Sequence, residues 1–324
     1  SMRKALTLGW AVAAMSMVAV ALHAAVPEGA KYSGTRLCVA CHRAKHKEIV
    51  TAYIKSPMAN ALVEVNDDNE EKVQEYLKGD FKTAPFKQDD VAFILASGVH
   101  QQAYLDKDMK VLPAKWLVAE KKWVETPAVD ATKECLYCHS TGFVAADKKY
   151  KTAGVGCEMC HGPGSVHVSA PADKKLDTVA RPAEMDPKAA AAICGQCHSR
   201  GRSIDGATAF PQGFLPGGDF NKFFKHDEVK GPGLNQQFTD LINTKHYEKG
   251  VVCNTCHDPH GETGNIAQLR KPITELCLDC HKGKIVDIPT HTKDKGVTPP
   301  ADATCATCHM PENRHLFDKT AVKK

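Results

Sequence analysis

The chain is 324 residues long, with 42 Lys and Arg against 38 Asp and Glu and a formal net charge of +4. Aromatic residues make up only 6% of it, which argues against a large conventional core built from its own side chains. The modest positive balance makes no electrostatic case for a nucleic-acid partner.

In chain order, residues 1–25 read as a secretory leader. Arg3 and Lys4 form a basic start, Leu6 to Ala21 is apolar, and Ala24 and Ala25 offer small residues for cleavage. The apolar run approaches the length of a spanning helix, so an uncleaved anchor is the alternative. Residues 26–134 hold the most ordinary protein. "DDNEEKVQEYLKG" reads as a short helix stopped by Gly79. "VAFILASG" and "KWLVAEKKWVE" read as strands, the latter a pair turning near Lys121, with Trp116 and Trp123 packing on the sheet. Asp186-Pro187 caps a helix through "KAAAAICGQCH", and "ITELCLDCHKG" is a helix ended by Gly283. Residues 201–248 are rich in Gly and Pro and read as an extended surface strap. The strap separates two blocks dense in cysteine, 135–200 and 249–324.

All 14 cysteines fall in seven CxxCH runs. The pairs are Cys38 with Cys41, Cys135 with Cys138, Cys157 with Cys160, Cys194 with Cys197, Cys253 with Cys256, Cys277 with Cys280, and Cys305 with Cys308. The histidines that follow them are His42, His139, His161, His198, His257, His281 and His309. CxxCH is the attachment signature of a c-type haem: each sulfur bonds one vinyl group, and the histidine becomes an axial ligand of iron. Zinc knuckles need no histidine after the second cysteine, and here seven of seven have one. No cysteine is left for a disulfide or a catalytic thiol. The expectation is seven covalent c-type haems. They would form most of the core, each adding two propionates, so the mature holoprotein should be neutral to acidic.

The chain has 16 histidines. Beyond the seven in the motifs and His23 in the leader stand His46, His100, His167, His226, His246, His260, His291 and His315. Seven irons with two imidazoles each need seven of these, so the haems read as mostly bis-histidine and low-potential. His226 is the one set aside, and Met58 is a rival ligand near the first motif. His260 follows His257 by three residues, His46 follows His42 by four, and His167 follows His161 by six. The two ligands of one iron lie on opposite faces of the porphyrin. So short a loop does not pass round its rim, so such a histidine should serve a different haem. A residue spans at most roughly 3.6 Å, so that haem must be a neighbour.

"ECLYCHSTGF", "GVGCEMCHGPGSVH", "TKHYEKGVVCNTCHDPHG", "LCLDCH", "PTHT" and "CATCHMP" resemble the multihaem cytochromes c related to the tetrahaem electron acceptor of hydroxylamine oxidoreductase and to octahaem reductases. The amino-terminal "LCVACHRAKHKEIVTAYIKSPMANAL" is similar to that family's first haem site. The resemblance implies distal roles for His167, His246, His260, His291 and His315. The family often has a histidine where Met58 stands, which makes His46 a candidate. The fold expected is mostly α and irregular, with haems as the core, short helices, long loops and a small β element near residues 91–124. The function expected is electron transfer between redox partners, either other cytochromes or a membrane quinol-oxidising complex, in the periplasm or outside the cell. A reductase of a nitrogen or sulfur oxyanion at one five-coordinate haem is the alternative, and a subunit of a cytochrome filament is a third reading.

Overall fold

The computed structural model describes residues 26–317 except 67–69, 229–230, 232, 234–235, 262–266, 284 and 286. The expected leader, residues 1–25, lies outside the described residues. The architecture is mostly short helices and irregular chain with small antiparallel sheets. Among the described residues no helix is long and apolar enough to cross a membrane.

The main sheet is a five-stranded meander: β1 (Leu62–Glu64), β2 (Phe93–Leu95), β3 (Gln101–Leu105), β4 (Ala114–Leu117) and β5 (Lys122–Glu125). The register pairs Leu62 with Leu95, Ile94 with Tyr104 and Trp116 with Trp123. β1 is absent from the sequence reading because three residues are too few to show a period of two. Alternation along β2 and β3 divides the apolar residues between two faces. Ile94 and Tyr104 pack with Val73, Val91 and Trp123. Leu95 and Leu105 pack with Leu62, Leu136, Tyr137, Met159 and Phe210. Leu136, Tyr137 and Met159 are intervening residues of the second and third CxxCH runs, so the sheet is the platform on which those runs rest.

The helix expected in "DDNEEKVQEYLKG" ends earlier than Gly79 would have it, at Tyr76. Gln102 from β3 donates to the Tyr76 carbonyl at 2.9 Å and accepts from the Lys78 amide at 3.0 Å. A side chain from the sheet thus satisfies backbone groups at the helix end.

A two-residue ladder of β6 (Ser140–Thr141) with β7 (Thr152–Ala153) joins the second and third motifs. The helix Pro187–Gly195 begins where the sequence places it, with Asp186 Oδ1 accepting from the Lys188 and Ala189 amides at 2.9 and 3.2 Å. Residues 201–248 differ from the surface strap expected. They form β8 (Gly201–Ser203) and β9 (Phe224–His226), and they bury Phe214, Phe220, Phe224 and Phe238 against Ala191, Ala192 and Val252. Phe210 is fully buried and stacks on Tyr137 with centroids 4.7 Å apart. The Gly and Pro residues make the turns, and the phenylalanines between them supply the burial. Gly195 lets the helix approach this cluster: a Cβ there would stand 2.6 Å from the Phe238 ring.

The carboxy-terminal block has little of this. The helices Cys253–Cys256, Ile273–His281 and Cys305–His309 bury no side chain. Their apolar faces are left for the groups that the cysteines attach.

If residues 201–248 help to form the core, Phe210→Ala should lower unfolding free energy by about 3–5 kcal/mol. Phe210→Leu should cost under about 1.5 kcal/mol. Denaturant midpoints check both, and a strap lying on the surface would make both substitutions silent.

Candidate haem centres

Each CxxCH run lies on or at the end of a helix: Thr35–His42, Leu136–His139, Cys157–His161, Pro187–Gly195, Cys253–Cys256, Ile273–His281 and Cys305–His309. One turn brings the two sulfurs and the imidazole to one side. In three runs the histidine amide donates to the first cysteine's carbonyl: His139 to Cys135 at 3.2 Å, His198 to Cys194 and His257 to Cys253 at 2.9 Å. All fourteen cysteines are outside any disulfide. Among the described residues no group of three or more His, Cys, Asp or Glu is arranged to hold a metal ion.

Four motif histidines are oriented from behind. Nδ1 of His139 lies 2.8 Å from Ala61 O, that of His161 2.9 Å from Ala180 O, and that of His257 2.7 Å from Ala267 O. Nδ1 of His198 lies 3.1 Å from Gln237 Oε1. An oxygen of this kind only accepts, so Nδ1 carries the proton and Nε2 keeps its lone pair for a metal. Burial also holds the His139, His161 and His198 rings below the ordinary imidazole pKa. The neutral ring is the ligating form.

Five further histidines face motif histidines from other parts of the chain. His167 faces His42 with centroids 6.1 Å apart, and His260 faces His161 at 6.4 Å with planes 3° apart. His246 faces His281 at 6.1 Å, His315 faces His257 at 6.2 Å, and His291 faces His309 at 6.2 Å. Two imidazoles bound to one metal through Nε2, each at about 2.0–2.1 Å, have centroids about 6.3 Å apart. The residues therefore fit an axial pair with iron between the rings. Local signals seat the partners. Thr244 caps the helix Lys245–Glu248 that carries His246, and Asp287 caps Ile288–Lys293, which carries His291. Asp258 accepts the His260 amide at 3.0 Å, and His167 Nδ1 lies 3.0 Å from Lys175 O.

The other candidates stand elsewhere. His46 is one turn beyond His42, its centroid 5.8 Å away, beside an imidazole that His167 already faces. His100 is exposed at the turn before β3. The His226 ring packs among Phe220, Phe224 and Phe238, with Nδ1 3.3 Å from Thr239 Oγ1. Met58 is half-buried and its carbonyl accepts from Val155 at 3.0 Å. Among the described residues no imidazole faces His139 or His198 as the five partners face theirs.

The motifs touch one another through their sulfurs. Sulfurs of different motifs lie side by side: Cys38 with Cys157, Cys138 with Cys197, Cys194 with Cys253 and Cys277 with Cys305. Cys160 neighbours Cys194 and Cys197, and Cys256 neighbours Cys280. Cys41, Cys135 and Cys308 stand outside these contacts. Cys41 and Cys280 are exposed, and the other twelve cysteines are half-buried.

Glu158, inside the third motif, is buried and fastens the amino terminus to it. Its carboxylate accepts from the Ser33, Gly34 and Gly164 amides, each at 2.7 Å. Neither this anchor nor the carbonyls behind the imidazoles follow from the motif spacing.

Two family models match parts of the chain: the doubled CXXCH motif over residues 246–285, and cytochrome c554 and c-prime over residues 96–162. The dissimilatory sulfite reductase MccA of Wolinella succinogenes is 30% identical over 183 residues, which are 49% of this chain and 22% of that protein. The multiheme cytochrome MtrA of Shewanella baltica is 23% identical over 220 residues, 59% of this chain and 66% of that one. The chain thus spans about a fifth of the first relative's length and 66% of the second's. Among solved structures, the outer cell wall cytochrome OcwA superposes with a TM-score of 0.69 at 22% identity, over 88% of this chain and 79% of that one. An undecaheme S-layer cytochrome of Carboxydothermus ferrireducens gives 0.55 at 20% identity, over 91% and 53%. In its CxxCH turns, its Nε2 donors and these matches, the chain is similar to the multihaem cytochromes c, and its motifs support covalently bound c-type haems.

Proposed function

We propose that the chain binds seven c-type haems and passes electrons between redox partners along them. The observation that carries this is the set of five facing imidazole pairs, in which short helices and loops from elsewhere in the chain supply the second ring. Bound haem supplies a one-electron ferric/ferrous couple, low in potential with two imidazoles. The protein favours the neutral ring of His139, His161 and His198 by burial, fixes the planes of these and of His167 and His257 through Nδ1, and sets the order of sites. Thiol contacts order the motifs first, third, fourth, fifth, sixth and seventh, with the second beside the fourth. That order supports a continuous path with one branch. In it the first and seventh motifs are the two terminal sites, where electrons would enter and leave. We place the protein outside the cytoplasmic membrane, between other cytochromes or a quinol-oxidising complex and an external acceptor.

A second reading rests on His139 and His198, which no imidazole faces among the described residues. A site with a free sixth position can take a small ligand, as a reductase of a nitrogen or sulfur oxyanion requires. Sulfite reduction is named for the relative MccA, and it enters here as a candidate only for these two positions.

Intact mass of the mature protein should exceed the polypeptide mass by seven haems, and six or fewer would remove at least one motif from the account. The resting ferric protein should hold two high-spin irons that bind cyanide, those of His139 and His198. Seven low-spin irons would overturn that expectation, and Met58→Leu then tests whether a thioether supplies one of the missing ligands. His260→Ala should create one additional high-spin iron. That increment should vanish when Cys157 and Cys160 are also replaced by Ala, and persist when Cys253 and Cys256 are replaced instead.

A further inference from the structure

Asp240 is a fully buried carboxylate that sits beside the ligands without being one. Its side chain is 2% exposed. Arg314 Nη2 donates to Oδ1 at 2.6 Å, Arg314 Nε donates to Oδ2 at 3.2 Å, and the His315 amide donates to Oδ2 at 3.2 Å. We infer that the Asp240–Arg314 pair is a positioning clip that holds the His315 imidazole opposite His257, and so fixes the spin state of the iron these two histidines share. This rests on the reading of His257 and His315 as one axial pair.

Three observations point the same way. The fork of Arg314 and the amide of the next residue converge on one carboxylate, which fixes the chain direction into His315. Little apolar packing holds this segment otherwise: Leu316 is exposed, and the preceding helix Cys305–His309 buries no side chain. Beyond His315 the chain reaches the next site, where the Phe317 ring lies 4.3 Å from the ring of His246, which faces His281. A buried ion pair is a poor source of net stability, because desolvation offsets most of its attraction. Its directional demand suits a ligand that must arrive in one pose. Asp240 is also carried on the helix Gln237–Leu241, whose first residue holds His198 through Nδ1. One short helix therefore supports a ligand of the fourth motif and, through Arg314, a ligand assigned to the fifth.

The test uses the haem-loaded protein in three variants: His315→Ala, Arg314→Ala and Asp240→Asn. Each should convert the same single iron from low to high spin by electron paramagnetic resonance, with haem content unchanged by intact mass. Excess imidazole should restore the low-spin signal in all three. If His315→Ala leaves the spectrum unchanged, the pairing of His315 with His257 falls. If His315→Ala converts one iron while Arg314→Ala and Asp240→Asn, fully loaded, stay low-spin, the pairing stands and the clip is overturned. Should Arg314→Ala fail to mature, Arg314→Lys keeps the charge without the fork. Cyanide displacement of the imidazole at that iron should then be about tenfold faster, in the range of lost outer-shell support, and an unchanged rate overturns the proposal.

Discussion

The structure depends on one geometric constraint: an axial pair needs its two imidazoles on opposite faces, and a short loop does not reach both. His260 stands three residues from His257 yet faces His161, and His167 stands six residues from His161 yet faces His42. Each such loop ties two motifs together, and in the case of His167 the sulfurs of the two motifs also approach, Cys38 beside Cys157. What would be a set of separate attachment sites becomes a lattice of mutual ligation. The order of motifs in space is then a consequence of loop lengths as much as of packing.

The protein parts divide their labour along the chain. The amino-terminal sheet packs Leu95 and Leu105 against the second and third motifs, and the phenylalanines of 210–238 pack against the fourth. The second, third and fourth motifs therefore rest on protein, which gives His139 and His198 buried surroundings even without a facing imidazole. The carboxy-terminal motifs lie on helices that bury no side chain, and their ring pairs His246–His281, His257–His315 and His291–His309 carry the organisation. Buried polar groups such as Glu158 and Asp240 join loop to motif where apolar contact is scarce.

Spacing made much of this legible. CxxCH identifies the attachment runs, Asp186-Pro187 marks a helix start, and the strand pair around Lys121 turns where its residues indicate, with Lys121 at φ 48°. What stayed illegible involves long-range contact. The Gly and Pro of 201–248 dominate a local reading, whereas burial of Phe210 depends on Tyr137, far away in sequence. The carbonyls of Ala61, Ala180 and Ala267 behind the imidazoles leave no trace in side-chain identity. Seven identical motifs also give no hint of which are enclosed, so the exposure of Cys41 and Cys280 emerges only from the arrangement in space. Counting histidines against irons gave seven partners for seven sites, but a count carries no positions. His46 lies beside a pair already made, and His100 lies at an exposed turn.

The ligand set of the haem-loaded protein, read from a crystal structure phased on its iron atoms, tests the central claim most directly. The account predicts that five irons lie between His42 and His167, His161 and His260, His281 and His246, His257 and His315, and His309 and His291. An iron bound by both His257 and His260, or by both His161 and His167, would contradict it.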